Sequence, residues 1–171
     1  CAVLAGCGGE SPQERPATAR PTMPSMTVTP SEVRIGDLTL YQTRREVLAR
    51  HPRMVCRRND MGDQVCGWNL SPAERKRGYE GISAVTLSFV DDRLHEIVVA
   101  YGEMFDVEYS PFAAKLTAQW GGVAAGSDTA IAQWSNDSLA ITLQPKRKLH
   151  WTRTAYAYTP TITYRERMLR R

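Results

Sequence analysis

Apolar and polar residues alternate most clearly in the middle of the chain. Val85, Leu87 and Phe89 alternate with smaller or polar neighbours, and residues 94–101 are rich in β-branched side chains. Asp91 and its neighbours form a polar break between these two runs. The pattern predicts two antiparallel strands joined by a tight turn. A second hairpin is predicted from the runs at 54–58 and 64–68, which are separated by five polar or turn-forming residues.

Helix signals precede and follow the hairpin predicted at 54–68. Thr43 with Glu46 forms a capping-box pattern, and Pro52 ends the helix that it starts. Ser71 followed by proline predicts a second short helix, which Gly78 stops.

The last third of the chain predicts a third helix followed by more strands. The helix is expected to begin at Ser110 and Pro111, and Phe112, Leu116 and Trp120 share one of its faces. Strands are predicted at 129–134, 139–144 and 154–159, and residues 164–171 are predicted to be a basic tail.

This order of elements predicts an α+β fold. Antiparallel pairs form the sheet or sheets, and two or three helices pack on one face. A helix followed by strands occurs at 44–68 and again at 111–159, which indicates a possible tandem helix-plus-hairpin repeat. Residues 33–171 are predicted to form a single domain.

The first residues carry a different kind of signal. The segment Leu4, Ala5, Gly6, Cys7 resembles the lipobox of bacterial lipoprotein signal peptides, in which small residues precede the cysteine that receives the lipid. The resemblance implies that Cys7 is the lipidation site, that residues 1–6 are the remnant of a signal peptide, and that Gly8 directs the protein to the outer membrane. A chance apolar pentapeptide is the alternative.

The segment from Cys7 to residue 32 is expected to be a tether. Five of the ten prolines of the chain fall between residues 12 and 30, and no hydrophobic periodicity is present there. Such a composition is typical of an extended, disordered linker. A proline-rich recognition segment is the alternative.

The helix-start region also resembles a known family. Ile35, Gly36, Leu38 and Leu40 lead into the segment 43–48, Thr-Arg-Arg-Glu-Val-Leu, which is similar to the opening of BamE-like outer-membrane lipoproteins. Tyr-Gln replaces the usual Gly-Met of that family. The tandem layout resembles the β-lactamase inhibitory protein, and lipoproteins of similar build serve as immunity proteins. These resemblances imply a binding role in the envelope.

Two cysteines are placed to form a disulfide. Cys56 and Cys66 lie one on each arm of the hairpin predicted at 54–68, and an oxidising periplasm favours a bond between them. A metal site that also uses His51 is the alternative, although no second cysteine pair with ligand spacing accompanies it. Neither a metal nor a cofactor is therefore predicted.

Composition excludes some functions and leaves others open. The net charge is only +4, and the chain has no nucleic-acid-binding motif, so no nucleic-acid partner is predicted. No apolar run is long enough to cross a membrane. No catalytic constellation is readable either, so the chain is predicted not to be an enzyme. The alternative is a periplasmic hydrolase that uses the acidic stretch 91–108 and His95.

Charge is unevenly distributed along the chain. Acidic residues are frequent in 91–108 and basic residues in 144–171. Such separation can accelerate association with a charged partner. The prediction is a non-enzymatic lipoprotein, held to the periplasmic face of the outer membrane through acylated Cys7, that binds a protein partner as an envelope-assembly accessory or an immunity protein. The predicted partner-binding residues are Tyr158, Arg165, Arg167, Asp92 and Glu96.

Overall fold

The structure, a computed structural model, describes residues 26–121, 132–149 and 156–167. Its main element is an antiparallel sheet of seven strands in the order β3-β4-β5-β6-β12-β9-β8. The strands of this sheet are β3 (Val55–Arg58), β4 (Gln64–Asn69), β5 (Ile82–Val90), β6 (Arg93–Tyr101), β8 (Ala132–Ser135), β9 (Leu139–Gln144) and β12 (Thr161–Glu166).

Two smaller sheets accompany the main one. The strands β1 (Arg34–Ile35) and β2 (Leu38–Thr39) form a short hairpin. The strands β7 (Met104–Phe105), β10 (Arg147–Leu149) and β11 (Tyr156–Tyr158) form a three-stranded sheet with β11 in the centre.

The first two helices begin where the capping residues predict. Helix α1 (Arg44–Arg50) follows Thr43, whose hydroxyl oxygen accepts a hydrogen bond from the Glu46 backbone N–H at 3.3 Å. Helix α2 (Pro72–Arg75) is a single turn capped by Ser71 in the same way. Both N-termini were therefore predictable from local sequence, because the capping residue and the glutamate three positions later satisfy each other's backbone groups.

Helix α3 (Asp106–Trp120) begins earlier than predicted. The expected start at Ser110 and Pro111 is wrong, since Pro111 lies inside the helix. The Glu108 carboxylate accepts a hydrogen bond from the Phe105 backbone N–H at 3.0 Å and so caps the true start. Pro111 has no backbone N–H, so the helix lacks the hydrogen bond that residue 111 would donate to the carbonyl of Val107. Val107 is 78% exposed, so water can donate to this carbonyl instead.

The first three residues of the predicted basic tail, 164–166, belong to a central strand. β12 lies between β6 and β9, with Ile162 opposite both Val99 and Leu143. Ile162 and Tyr164 are buried. The alternation of threonine with Ile162 and Tyr164 is typical of a strand. The prediction of a tail instead followed the many arginines near the end of the chain.

The predicted tether includes residues that are packed. Met26 and Pro30 are buried. The side-chain amide of Asn136 donates hydrogen bonds to the carbonyls of Met26 and Val28, at 3.0 and 2.7 Å. Residues 26–32 therefore belong to the folded structure, and the boundary predicted at residue 33 is too late.

The core lies between one face of the main sheet and the helices. Alternate strand residues such as Leu87, Ile97 and Ile141 are fully buried on this face, together with Val47 of α1 and Leu116 of α3. The predicted α+β class is confirmed. The element order also repeats, because α1 precedes β3, β4 and β5, and α3 precedes β8, β9 and β12.

Candidate functional site

The second face of the main sheet is the candidate functional surface. It carries the strand residues that alternate with the buried ones, and these residues are exposed or only partly buried. We call this surface the open face. On the five inner strands it includes Val65, Gly67, Thr86, Ser88, Glu96, Val98, Thr163, Arg165, Ala140 and Thr142.

Most side chains of the open face are small. The positions named above are glycine, alanine, serine, threonine or valine except for Glu96 and Arg165, and the same face also carries Asn69 at the end of β4 and Gln144 at the end of β9. Gly67 on β4 leaves a shallow depression of about 500 Å³ beside Val55, which is 77% exposed at the edge of the sheet. The open face is therefore flat, with few long side chains standing above the backbone.

Two of the predicted partner-binding residues lie on adjacent inner strands of this surface. Arg165 of β12 is directly opposite Glu96 of β6, and their side chains form an ion pair. The acidic and basic stretches therefore meet here, so they do not form two separate charged faces as the sequence had suggested.

Two further predicted residues lie at the same end of the sheet. The pairing of Arg165 with Glu96 brings the end of β12 near the β5–β6 turn, where Asp92 is located. Asp92 forms an ion pair with Arg44 of α1 at 3.0 Å. Arg167 donates a hydrogen bond to the carbonyl of Asn136 at 2.9 Å. Both side chains therefore contact their own chain and border the open face.

Tyr158 lies apart from the other predicted residues. It belongs to the three-stranded sheet, opposite Met104, and its ring stacks on Tyr109 with centroids 4.3 Å apart. The structure thus brings together four of the five predicted partner-binding residues and leaves Tyr158 at the other end of β6.

The cysteines occupy the positions that the hairpin predicted. Cys56 and Cys66 are directly opposite each other on β3 and β4, and their sulfurs are 2.05 Å apart, which is disulfide distance. Cys7, the predicted lipidation site, lies outside the described residues, as do residues 1–6. Among the described residues, no helix has the length and apolar character needed to span a bilayer.

A polar cluster that the sequence analysis did not predict lies on the core side. Asp37, in the β1–β2 turn, accepts hydrogen bonds from the Tyr79 hydroxyl and from Arg50 Nη1, the latter at 3.3 Å. His51 Nε2 is 3.0 Å from Asp37 Oδ1, and the His51 ring packs against Trp68 with centroids 4.9 Å apart. These residues are distant in sequence, and only the tertiary fold brings them together.

The electrostatics of this cluster favour a charged Asp37. Burial alone would raise the pKa of Asp37, but the Tyr79 hydrogen bond and the nearby charges of His51 and Arg50 lower it below its ordinary value. Burial and the Asp37 carboxylate raise the pKa of Tyr79, which therefore stays a neutral donor. Gly36, with φ at +61°, allows the Tyr79 ring to pack against the turn, because a side chain at residue 36 would collide with that ring.

The residues of the alternative hydrolase site have structural partners. His95 Nδ1 is 3.0 Å from the carbonyl of Ser88, Glu96 pairs with Arg165, and the Glu108 carboxylate caps α3. Within the described ranges, no group of three or more His, Cys, Asp or Glu side chains is arranged to hold a metal ion.

Comparison with known proteins adds no relative to this description. No protein-family model, curated protein or solved structure matches the chain. What the described residues define is a class: an α+β chain with an antiparallel sheet of seven strands, one face of which is buried in the core while the residues of the other face are exposed or partly buried.

Proposed function

We propose that this chain is a non-enzymatic lipoprotein, anchored to the periplasmic face of the outer membrane through acylated Cys7, that binds a protein partner on its open face. The observation that carries the binding role is the composition of that face. The anchor is supported by the lipobox-like segment that ends at Cys7.

The open face is unusual for a surface that contacts only water. An antiparallel sheet with one solvated face commonly alternates apolar residues with polar ones, and protein surfaces are rich in long charged side chains. Here most of the open-face side chains named above are small, and the two charged ones among them, Glu96 and Arg165, form an ion pair. A partner can approach such a surface closely without displacing many ordered, strongly hydrated side chains.

The charges around the open face indicate an acidic partner surface. Arg57 on β3 is exposed on this face, Arg53 lies beside the Gly67 depression, and Arg165 is 59% exposed despite its pairing. Glu96 is the only acidic residue among the inner-strand positions. Complementary charge of this kind accelerates association more than it strengthens the final complex.

Two biological roles fit this proposal. An immunity protein or inhibitor would block a toxin or enzyme, whereas an assembly accessory would bind another component of the envelope. Both roles follow from the resemblance to BamE-like lipoproteins and to the β-lactamase inhibitory protein. The identity of the partner decides between them, and a partner with a toxic enzymatic activity that the bound chain suppresses would establish the immunity role.

Binding kinetics test the use of the open face. With the partner purified from envelope extract, Arg165→Ala should weaken binding by about tenfold, and added salt should slow association. Arg45→Ala is the matched control, because Arg45 is an exposed arginine of α1 on the opposite side of the sheet. Equal association and dissociation rates for the wild type and the Arg165 variant would place the interface elsewhere.

The anchor has its own test. The protein expressed from its own gene should incorporate a fatty-acid analogue and fractionate with the outer membrane. Cys7→Ser should abolish the label, while Cys56→Ser should leave it unchanged. A labelled Cys7 variant would contradict the proposed anchor without affecting the binding role.

A further inference from the structure

The main sheet ends on one side with β3, and no described strand pairs with the outer edge of β3. On its other side β3 pairs with β4, where Cys56 lies directly opposite Cys66. An outer edge presents backbone N–H and C=O groups that can hydrogen-bond to one more strand. The alternation of hydrogen bonds between β3 and β4 decides which residues present these groups.

The outward-facing backbone groups of β3 belong to Cys56 and Arg58. In an antiparallel pair, residues that exchange both backbone hydrogen bonds alternate with residues that exchange none, and the second kind have Cα atoms about 4.5 Å apart rather than about 5.5 Å. The Cα atoms of Cys56 and Cys66 are 4.0 Å apart, so this pair exchanges none. At the end of the hairpin the Asn59 N–H donates to the Asp63 carbonyl at 2.9 Å, which gives the same alternation.

The far end of β4 agrees with this alternation. The Leu70 N–H donates to the Ser83 carbonyl at 2.9 Å, so Leu70 is bonded in the direction of β5. Cys66 lies an even number of positions before Leu70 and is therefore bonded in the same direction, away from β3. The backbone groups of Cys56 and Arg58 consequently face outward from the sheet.

The side chains along this edge are basic, with one apolar exception. Arg57 and Arg58 are exposed, and neither forms an ion pair with another residue that the structure describes. Val55 lies beside the Gly67 depression and is 77% exposed. Because side chains alternate between the two faces of a sheet, Val55 and Arg57 lie on the open face and Arg58 lies on the other face.

We propose that the outer edge of β3 binds an extended acidic segment of a partner protein, which joins the main sheet as an additional antiparallel strand. The segment exchanges backbone hydrogen bonds with Cys56 and Arg58, as in other cases of strand addition. Its carboxylates pair with the Arg57 and Arg58 guanidinium groups, and an apolar side chain contacts Val55. This site extends the proposed binding role to the edge of the sheet and does not require a partner on the open face.

A second copy of this chain is a poorer occupant of the edge. Pairing of two β3 strands would bring the arginines of both copies together, and like charges opposite each other destabilise a sheet. Charged residues on an edge strand oppose self-pairing of this kind. The same positive charges attract a strand that carries carboxylates, so the edge selects its partner by charge.

Peptide binding to the full chain, with its disulfide intact, tests the proposal. The probe is acetyl-Thr-Glu-Glu-Thr-Val-Thr-amide, whose two glutamates and valine lie opposite Arg58, Arg57 and Val55 in an antiparallel alignment. Titration followed by backbone amide signals in NMR should give a dissociation constant below about 1 mM at low salt. The amide signals of Cys56 and Arg58 should shift more than those of Val55 and Arg57, because only the first two gain a hydrogen-bond acceptor.

Two modified peptides separate strand addition from simple charge attraction. A methyl group on the backbone nitrogen of the threonine opposite Cys56 removes a donor that faces β3, and it should weaken binding at least about fivefold. The same methyl group on the glutamate opposite Arg57 faces away from β3 and should change binding by less than about twofold.

Charge changes in the peptide and in the protein assign the binding to this edge. Replacing both glutamates of the peptide by lysine should weaken binding at least about tenfold. Arg58→Ala should weaken binding of the unmodified peptide about threefold. Arg45→Ala removes the same charge from an exposed position on α1, outside the edge, and should leave peptide binding unchanged.

Three results would overturn the proposal. One is the absence of saturable binding of the unmodified peptide, and another is an equal effect of the two backbone methyl groups. The third is a concentration-dependent shift of the Cys56 and Arg58 amide signals without peptide, which would mean that a second copy of the chain occupies the edge. None of these results bears on the Arg165 test, so failure of the edge site and failure of the open face are distinguishable.

Discussion

Replacing Asp37 with alanine should destabilise the protein more than any other single carboxylate change near the surface. Asp37 joins the β1–β2 turn to Arg50 and His51 at the end of α1, and to Tyr79 after α2. Without the carboxylate, the Tyr79 hydroxyl loses its acceptor although the residue is only 4% exposed. The effect on stability is therefore mainly the cost of that unpaired hydroxyl.

The magnitude follows from the contacts. A hydrogen bond to a charged group contributes about 1.5 to 3 kcal/mol. The Arg50 and Asp37 side chains are each 41% exposed, so their ion pair adds little, about 0 to 1 kcal/mol. Asp37→Ala should therefore lower the free energy of unfolding by about 1.5 to 4 kcal/mol near neutral pH.

The loss should depend on pH with a definite sign. Because the folded protein lowers the pKa of Asp37, this carboxylate stabilises the fold above the pKa it has in the unfolded chain, about 3.9. That contribution disappears as pH falls through the lower pKa of the folded state. The difference between the wild type and Asp37→Ala should therefore shrink as pH falls below about 3.9.

Urea unfolding at several pH values measures this effect. Asp60→Ala is the control, because Asp60 is an exposed carboxylate in the β3–β4 turn with no ion pair among the described residues. It should change stability by less than about 0.5 kcal/mol. An equal loss of unfolding free energy for Asp37→Ala and Asp60→Ala would contradict the stabilising role of the Asp37 carboxylate. A loss for Asp37→Ala that does not change with pH would contradict it as well.

Two other predictions concern the sheet. Replacing both Cys56 and Cys66 by alanine should lower the free energy of unfolding by about 3 kcal/mol in the chain-entropy model. Peptide mapping of the wild type without reductant should find these two cysteines joined by a disulfide. Free thiols at both positions would contradict the prediction. Ile162→Ala should cost about 2 to 5 kcal/mol in urea unfolding, because the residue is fully buried in a central strand. A loss below about 1 kcal/mol would instead fit a terminal tail.

The sequence predicted the elements whose signals are local. Thr43 and Glu46 are three residues apart and fix the start of α1 through their own hydrogen bonds. The β3–β4 hairpin was equally readable, because Asn59 forms the turn with Gly62 and Asp63 and accepts hydrogen bonds from within it. In both cases the interactions lie within a few residues, so no tertiary information is needed.

The elements that were missed depend on distant partners. β12 is a strand because β6 and β9 flank it, and Asn136 holds residues 26–28 in place across more than 100 positions of sequence. The links from Asp37 to His51 and Tyr79 have the same origin. The candidate surface was predicted only in part. Glu96 and Arg165 were predicted from their charge. The small side chains around them could not be assigned to one face, because that assignment requires the strand order and register.

The central claim is that a protein partner occupies the open face, and site-specific photo-crosslinking in intact cells tests it most directly. A photoreactive residue replaces Thr86, an exposed position near the middle of that face, and in a parallel strain it replaces Arg45 on α1. If a protein partner occupies the open face, position 86 should give a light-dependent adduct with one envelope protein, and position 45 should give none. An adduct from position 45 alone, or none from either position, would contradict it.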